Sequence, residues 1–174
     1  MRKALYFLGI LNDSDIDWLM AAGNRREVSA GGTLIEEGRA IDSVYLVIDG
    51  AFSVRIKALG GREVARLMSG EVVGEMSFVD RTPPSATVQA TEHSFVLDIP
   101  RRRLNAKLAE DAGFAARFYR ALSMFLAERL RAANAALGGK TVADGADEVD
   151  FDALDDISVA GTRFDWIQRR LRTG

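Results

Sequence analysis

The stretch Gly-Glu-Met-Ser-Phe-Val-Asp-Arg-Thr-Pro-Pro-Ser-Ala-Thr-Val, residues 74–88, holds the residue types best suited to chemistry in this chain. A Gly-Glu pair leads into a short apolar piece, then a proline-kinked loop, then small hydroxyl residues entering a strand pattern. A loop of this build suits a small phosphorylated ligand. Such a ligand needs a cation, and the position after Pro83 is a second proline, without charge, side-chain donor or amide hydrogen. Arg81, three residues earlier, is either a substitute cation or an exposed turn residue.

Other chemistries are excluded by what the chain lacks. With no cysteine it can form no disulfide, iron–sulfur cluster, thiolate zinc site or cysteine nucleophile, which fits a reducing cytoplasm. The single histidine, His93, sits beside Glu92 at a strand edge and reads as structural or exposed. Metal-binding β-rolls use several histidines, so no metal is expected. No serine has the histidine–acid pattern of a hydrolase triad, and no enzyme activity is expected. The formal net charge of −2 provides no basic field for nucleic acid. Arg101-Arg102-Arg103 reads as a solvated first-turn face.

The surrounding pattern must position residues 74–88. At 174 residues, 48% apolar and 28% charged, the chain fits one domain and an extension. Met1-Arg2-Lys3 and the apolar run to Leu11 read as a strand or helix packed on the core. Asn12-Asp13-Ser14-Asp15 follows without a small-x-small cleavage site. No apolar run reaches membrane-spanning length. Residues 12–23 read as a helix, capped by Asn12, Asp13 or Ser14 and closed by Gly23. From Gly31 to Ile99, short strand-like runs alternate with turns. Val44–Ile48 is a buried-strand pattern, Asp49-Gly50 reads as a hairpin turn, and Phe52, Val54 and Ile56 alternate with polar residues. The fold class expected is mainly β: a jelly-roll barrel with flanking helices. Pro100 opens a helical region reaching about Leu137, with Phe114, Phe118, Leu122, Phe125, Leu126 and Leu130 in a long stripe. Residues 138–160, rich in aspartate, read as a mobile linker. Residues 161–174 read as a short helix docking through Phe164, Trp166, Ile167 and Leu171.

Residues 31–56, 70–90 and 96–104, with their turn glycines and Gly-Glu cassette in order, resemble the cyclic-nucleotide-binding domain family, which includes the catabolite activator proteins. The resemblance covers residues 8 to about 137. It implies that Gly74 admits the ligand to the backbone and that Glu75 accepts the ribose 2′-hydroxyl. It further implies that the Met76 and Ser77 amides face the anion, Ser85 and Ala86 line the phosphate side, and Thr87 sits near the base. The family's phosphate-pairing arginine falls at Pro84, where this chain departs from the pattern. The resemblance therefore implies a regulatory module sensing cyclic AMP or cyclic GMP weakly and relaying through its C-terminal helix to a separate output protein. The alternative is an interaction module that has lost its ligand. A homodimer is expected through Phe118, Leu122, Phe125, Leu126 and Leu130. Direct DNA binding is not expected, because the roughly 35 residues after the long helix are too few and too acidic for a helix-turn-helix.

Overall fold

The computed structural model describes residues 7–137 and 151–172. Residues 7–10 are helical (α1), and α2 spans Asp13–Ala22. A capping box starts α2: the Asn12 side chain accepts from the Asp15 amide at 2.9 Å, and the Asp15 carboxylate accepts from the Asn12 amide at 3.0 Å. Eight strands follow: β1 Asn24–Val28, β2 Thr33–Ile35, β3 Ser43–Asp49, β4 Ala51–Ile56, β5 Arg62–Met68, β6 Val72–Val73, β7 Thr87–Ala90 and β8 Ser94–Pro100. Helix α3, Glu75–Asp80, lies between β6 and β7. Helices α4, Arg101–Glu110, α5, Ala112–Leu137, and α6, Phe151–Arg172, complete the described chain.

The strands form two four-stranded antiparallel sheets, ordered β1-β8-β3-β6 and β2-β7-β4-β5. The expected jelly roll is present, with one local correction. Asp49-Gly50 is not a hairpin: β3 pairs with β8 and β6, whereas β4 pairs with β5 and β7. It is the corner where the chain leaves one sheet for the other. Gly50 has φ 91°, and a Cβ there would lie 2.2 Å from Ser94 Oγ, so only glycine makes this corner. The hairpin proper is β4–β5, turning at Gly60-Gly61.

Two apolar layers hold the molecule together. Between the sheets lie Ile35, Val47, Phe52, Val73, Val88 and Val96, all buried. The outer face of the β1-β8-β3-β6 sheet packs through Leu46, Leu97 and Ile99 against a second cluster built from the helices. Phe118 is central there, with ring centroids 5.6 Å from Phe7, 5.7 Å from Phe114 and 6.0 Å from Phe78. Phe118, Leu122 and Phe125 are buried, and Leu126 packs against the same cluster, so these members of the expected dimer stripe are used within the chain. Leu130 is 62% exposed. The stripe exceeds what one roll requires because it also covers α1, α2 and α6.

Helix α6 begins at Phe151, ten residues before the expected start at 161. Asp152, Asp155 and Asp156, expected in the linker, fall within this helix. Residues 138–150, with the rest of the expected linker, lie outside the described residues. Ile167 is buried, and Phe164 and Leu171 pack beside it, as the docking face requires. Trp166 turns away, 38% exposed, with the Arg170 guanidinium 5.2 Å from its ring. Arg163 donates to the carbonyls of Leu8 at 3.0 Å and Gly9 at 3.1 Å, and Gln168 donates to Ile48 O at 2.7 Å.

One ion pair ties α2 to α5. The Asp15 carboxylate, 3% exposed, accepts from Arg117 Nε at 2.6 Å and Nη2 at 2.8 Å. Burial pushes this carboxyl up, but the Arg117 hydrogen bonds, the Asn12 amide and the Arg117 charge outweigh burial and hold it below its ordinary 3.8. The folded value is therefore depressed, so the stability it contributes is complete above the unfolded value and disappears as pH falls through the folded one. Asp15→Asn is expected to flatten the acid limb of stability below about pH 4. Denaturant midpoints measured across that range check this, and parallel wild-type and variant curves would contradict it.

Candidate functional site

Gly74 caps α3 with φ 85° and ψ 5°. A Cβ at this position would lie 2.8 Å from Ile41 Cδ1 and 3.2 Å from Ser43 O, in a backbone conformation that side chains rarely adopt. The glycine turns the chain out of β6 so that the next side chain, Glu75, points inward and is 2% exposed. The far end of α3 is held by Arg101. Its Nη2 donates to Ser77 O at 2.9 Å and its Nη1 to Ile41 O at 3.2 Å. Arg103 Nη1 likewise donates to Ala22 O at 2.9 Å, at the end of α2. Arg102 and Arg103 are exposed, as the expected solvated face requires, but Arg101 is half-buried as a brace and Arg103 also reaches a carbonyl end of the fold. Below α3, Phe78 reaches Phe118 and links this segment to α5.

A cavity of about 290 Å³ opens between α3, the 82–86 loop and the roll. Gly74, Glu75, Met76, Ser77, Ser85 and Ala86 line it, so six of the eight expected ligand residues share one wall. Ile35, Val54, Leu67, Val73 and Val88 give the roll side an apolar surface suited to a flat ring or sugar face. Pro83 and Pro84 close the loop side without adding charge. The Asp80 carboxylate shapes this loop by accepting from the Thr82 amide at 2.9 Å and hydroxyl at 2.7 Å, and these bonds hold it below its usual range.

Two expected residues stand apart. Arg81 ends α3 with φ 61°, is exposed, and lies off the cavity wall. Thr87 also lies off the wall, and its hydroxyl accepts from the Glu37 amide at 3.1 Å. The cation that does line the cavity is Arg129, from α5. Its Nη1 donates to Glu75 Oε1 at 2.5 Å, its Nη2 lies 3.8 Å from Glu71 Oε2, and its guanidinium stands 4.6 Å from the Phe125 ring. Burial pushes the Glu75 carboxyl up, and the charge and hydrogen bond of Arg129 pull only part of that back. The sequence carries a signal for Arg129: it follows Phe118, Leu122 and Phe125 at helical spacing, a lone charge on a buried face.

The fold and site define a β-roll whose 74–86 segment and C-terminal helix together border an open cavity. Residues 25–111 match the family described as the cyclic nucleotide-binding domain, and the chain belongs to that family. It is 30% identical over 112 residues to the Pycsar effector protein XpPycTIR of Xanthomonas perforans, covering 64% of this chain and 36% of that protein. It is 37% identical over 92 residues to the Pycsar effector protein PaPycTIR of Pseudomonas aeruginosa, covering 52% of this chain and 29% of the relative. The chain thus spans about a third of the length of these curated relatives. Among solved structures, a cyclic nucleotide-binding domain from Methylobacillus flagellatus aligns with TM-score 0.72 at 21% identity, covering 82% of this chain and 84% of that one. The Thermus thermophilus catabolite activator protein aligns with TM-score 0.63 at 24% identity, covering 94% and 83%. At these identities the two structures bear on the fold alone. Among the described residues no helix is long and apolar enough to cross a membrane, and no group of side chains could hold a metal ion.

Proposed function

We propose that this domain is a non-enzymatic sensor that captures a cyclic nucleoside monophosphate, cyclic AMP or cyclic GMP, weakly in the cavity beneath α3. The observation that carries this reading is a buried carboxylate, Glu75, facing a largely apolar cavity of nucleotide size. In this reading Glu75 takes the ribose hydroxyl, the backbone at Gly74, Met76 and Ser77 approaches the sugar and phosphate, and Ser85 and Ala86 border the anion. Thr87 serves the base, and Arg81 would have to swing inward to reach the ligand. Output passes through α5 to a separate protein. Most of each effector relative's length lies outside the aligned part, which agrees with a sensor unit coupled to something else. A homodimer in this reading uses the outer side of α5, where Tyr119 is 47% and Leu130 62% exposed.

A second reading, a ligand-independent interaction module, is favoured by Pro84 and by the Glu75–Arg129 pair already satisfying the cavity's acid. Hydrogen exchange separates the two. Cyclic AMP or cyclic GMP at about 1 mM, where a site contributing only about 4 kcal/mol is half filled, is expected to protect amides in 74–86. Identical exchange with and without either ligand would favour the second reading.

A further inference from the structure

The cavity wall carries two carboxylates, Glu75 and Asp80, and among the described residues one cation, Arg129. That cation comes from the helix that follows the roll rather than from the cassette. Its two ends differ in freedom: Glu75 is 2% exposed and fixed at the base of α3, whereas the Arg129 side chain is 31% exposed on a long flexible stem. Arg129 holds Glu75 Oε1 at 2.5 Å, so a ligand hydroxyl that takes that oxygen displaces Arg129 from it. A ligand anion must find a cation, and position 84 offers none. The displaced guanidinium answers the second requirement as the first is met, so Glu75 and the ligand anion both have a partner once the exchange is complete.

Resting on the cyclic-nucleotide reading above, we propose that Arg129 takes the phosphoryl oxygens of the bound ligand and cedes Glu75 to the ligand's sugar hydroxyl in the same step. The ligand class is then a nucleotide with a hydroxyl and an anionic phosphodiester on neighbouring sugar carbons. A neutral nucleoside satisfies only the Glu75 half of this exchange and leaves Arg129 with Glu71. Because Arg129 is part of α5, exchange of its partner acts directly on that helix. The missing arginine of the loop is in this way replaced by one on the output element, and anion capture and relay become one event.

The test is calorimetric titration of the full chain with cyclic AMP and with adenosine, read as the ratio of the two affinities. Arg129→Gln is expected to weaken cyclic AMP by about tenfold or more and to change adenosine by under about threefold, which collapses the ratio. The ratio removes any shared effect of leaving Glu75 unpaired. Arg129→Lys is expected to keep an intermediate ratio, because an ammonium is a point charge without the planar fork. The double variant Glu75→Gln with Arg129→Gln removes both charges of the pair together, so the buried Glu75 is not left unpaired, and is expected to show the same collapsed ratio. Adding Pro84→Arg to Arg129→Gln is expected to restore it. A ratio unchanged by Arg129→Gln and by the double variant, or equal wild-type affinities for the two ligands, would overturn the proposal while leaving nucleotide binding intact. A wild-type chain that binds neither ligand would overturn both.

Discussion

Phe118→Ala is expected to lower the unfolding free energy by about 3–5 kcal/mol and the thermal midpoint by on the order of 10 °C. The ring is 1% exposed and touches Phe7, Phe78, Phe114 and Tyr119, so truncation leaves a cavity lined by aromatic rings that no single neighbour can fill. The position also bridges α5 to the cassette through Phe78. Loss of the ring should therefore loosen amides of α3 in hydrogen exchange as well as α5. A loss below about 1 kcal/mol would mean the site collapses or that α5 is not docked as described. A loss that grows with dilution would place Phe118 at an interface between two chains, the arrangement expected from the sequence stripe.

The stripe shows where periodicity stops being informative. A helical repeat of large apolar groups reveals that one face is covered, but not by what. Here Phe7, Trp18 and Ile167 from distant parts of the chain supply the cover. The same limit explains Asp49-Gly50. A short polar turn with a positive-φ glycine is locally identical at a hairpin and at a sheet-to-sheet corner, and only the non-local partners of β3 and β4 distinguish them. The strand-rich stretch from Gly31 to Ile99 was legible because alternation and turn glycines are local, whereas β1, Asn24–Val28, lies before it and was not expected. So was the wall of the cavity formed by Gly74 to Ser77 and Ser85 to Ala86, which is contiguous in sequence apart from one loop. Arg129 showed only as a charge on an apolar helix face, because its place at the site depends on α5 crossing 54 residues away from Glu75. Arg101 misled for a related reason. A run of three arginines reads as a charged face, whereas the Arg101 guanidinium reaches back to a carbonyl of α3, and the exposed Arg103 also reaches one at the end of α2.

If the cavity takes a nucleotide and lacks only a cation in its own loop, Pro84→Arg should supply it, and titration of this variant and of the wild-type chain with cyclic AMP reads the outcome. Position 84 already lines the cavity, and its carbonyl, which accepts from the Gly38 amide at 2.8 Å, is retained in the variant. A guanidinium there would meet the phosphate as a two-pronged donor, beside Arg129 once that residue has ceded Glu75. Breaking a buried ion pair costs about 3–5 kcal/mol, so even a fraction of that recovered gives a gain of at least about tenfold. The predicted result is weak wild-type binding and binding tighter by that factor in the variant. Tight wild-type binding indifferent to both Arg81→Ala and Arg129→Gln, or a folded Pro84→Arg variant with no gain, would contradict the account.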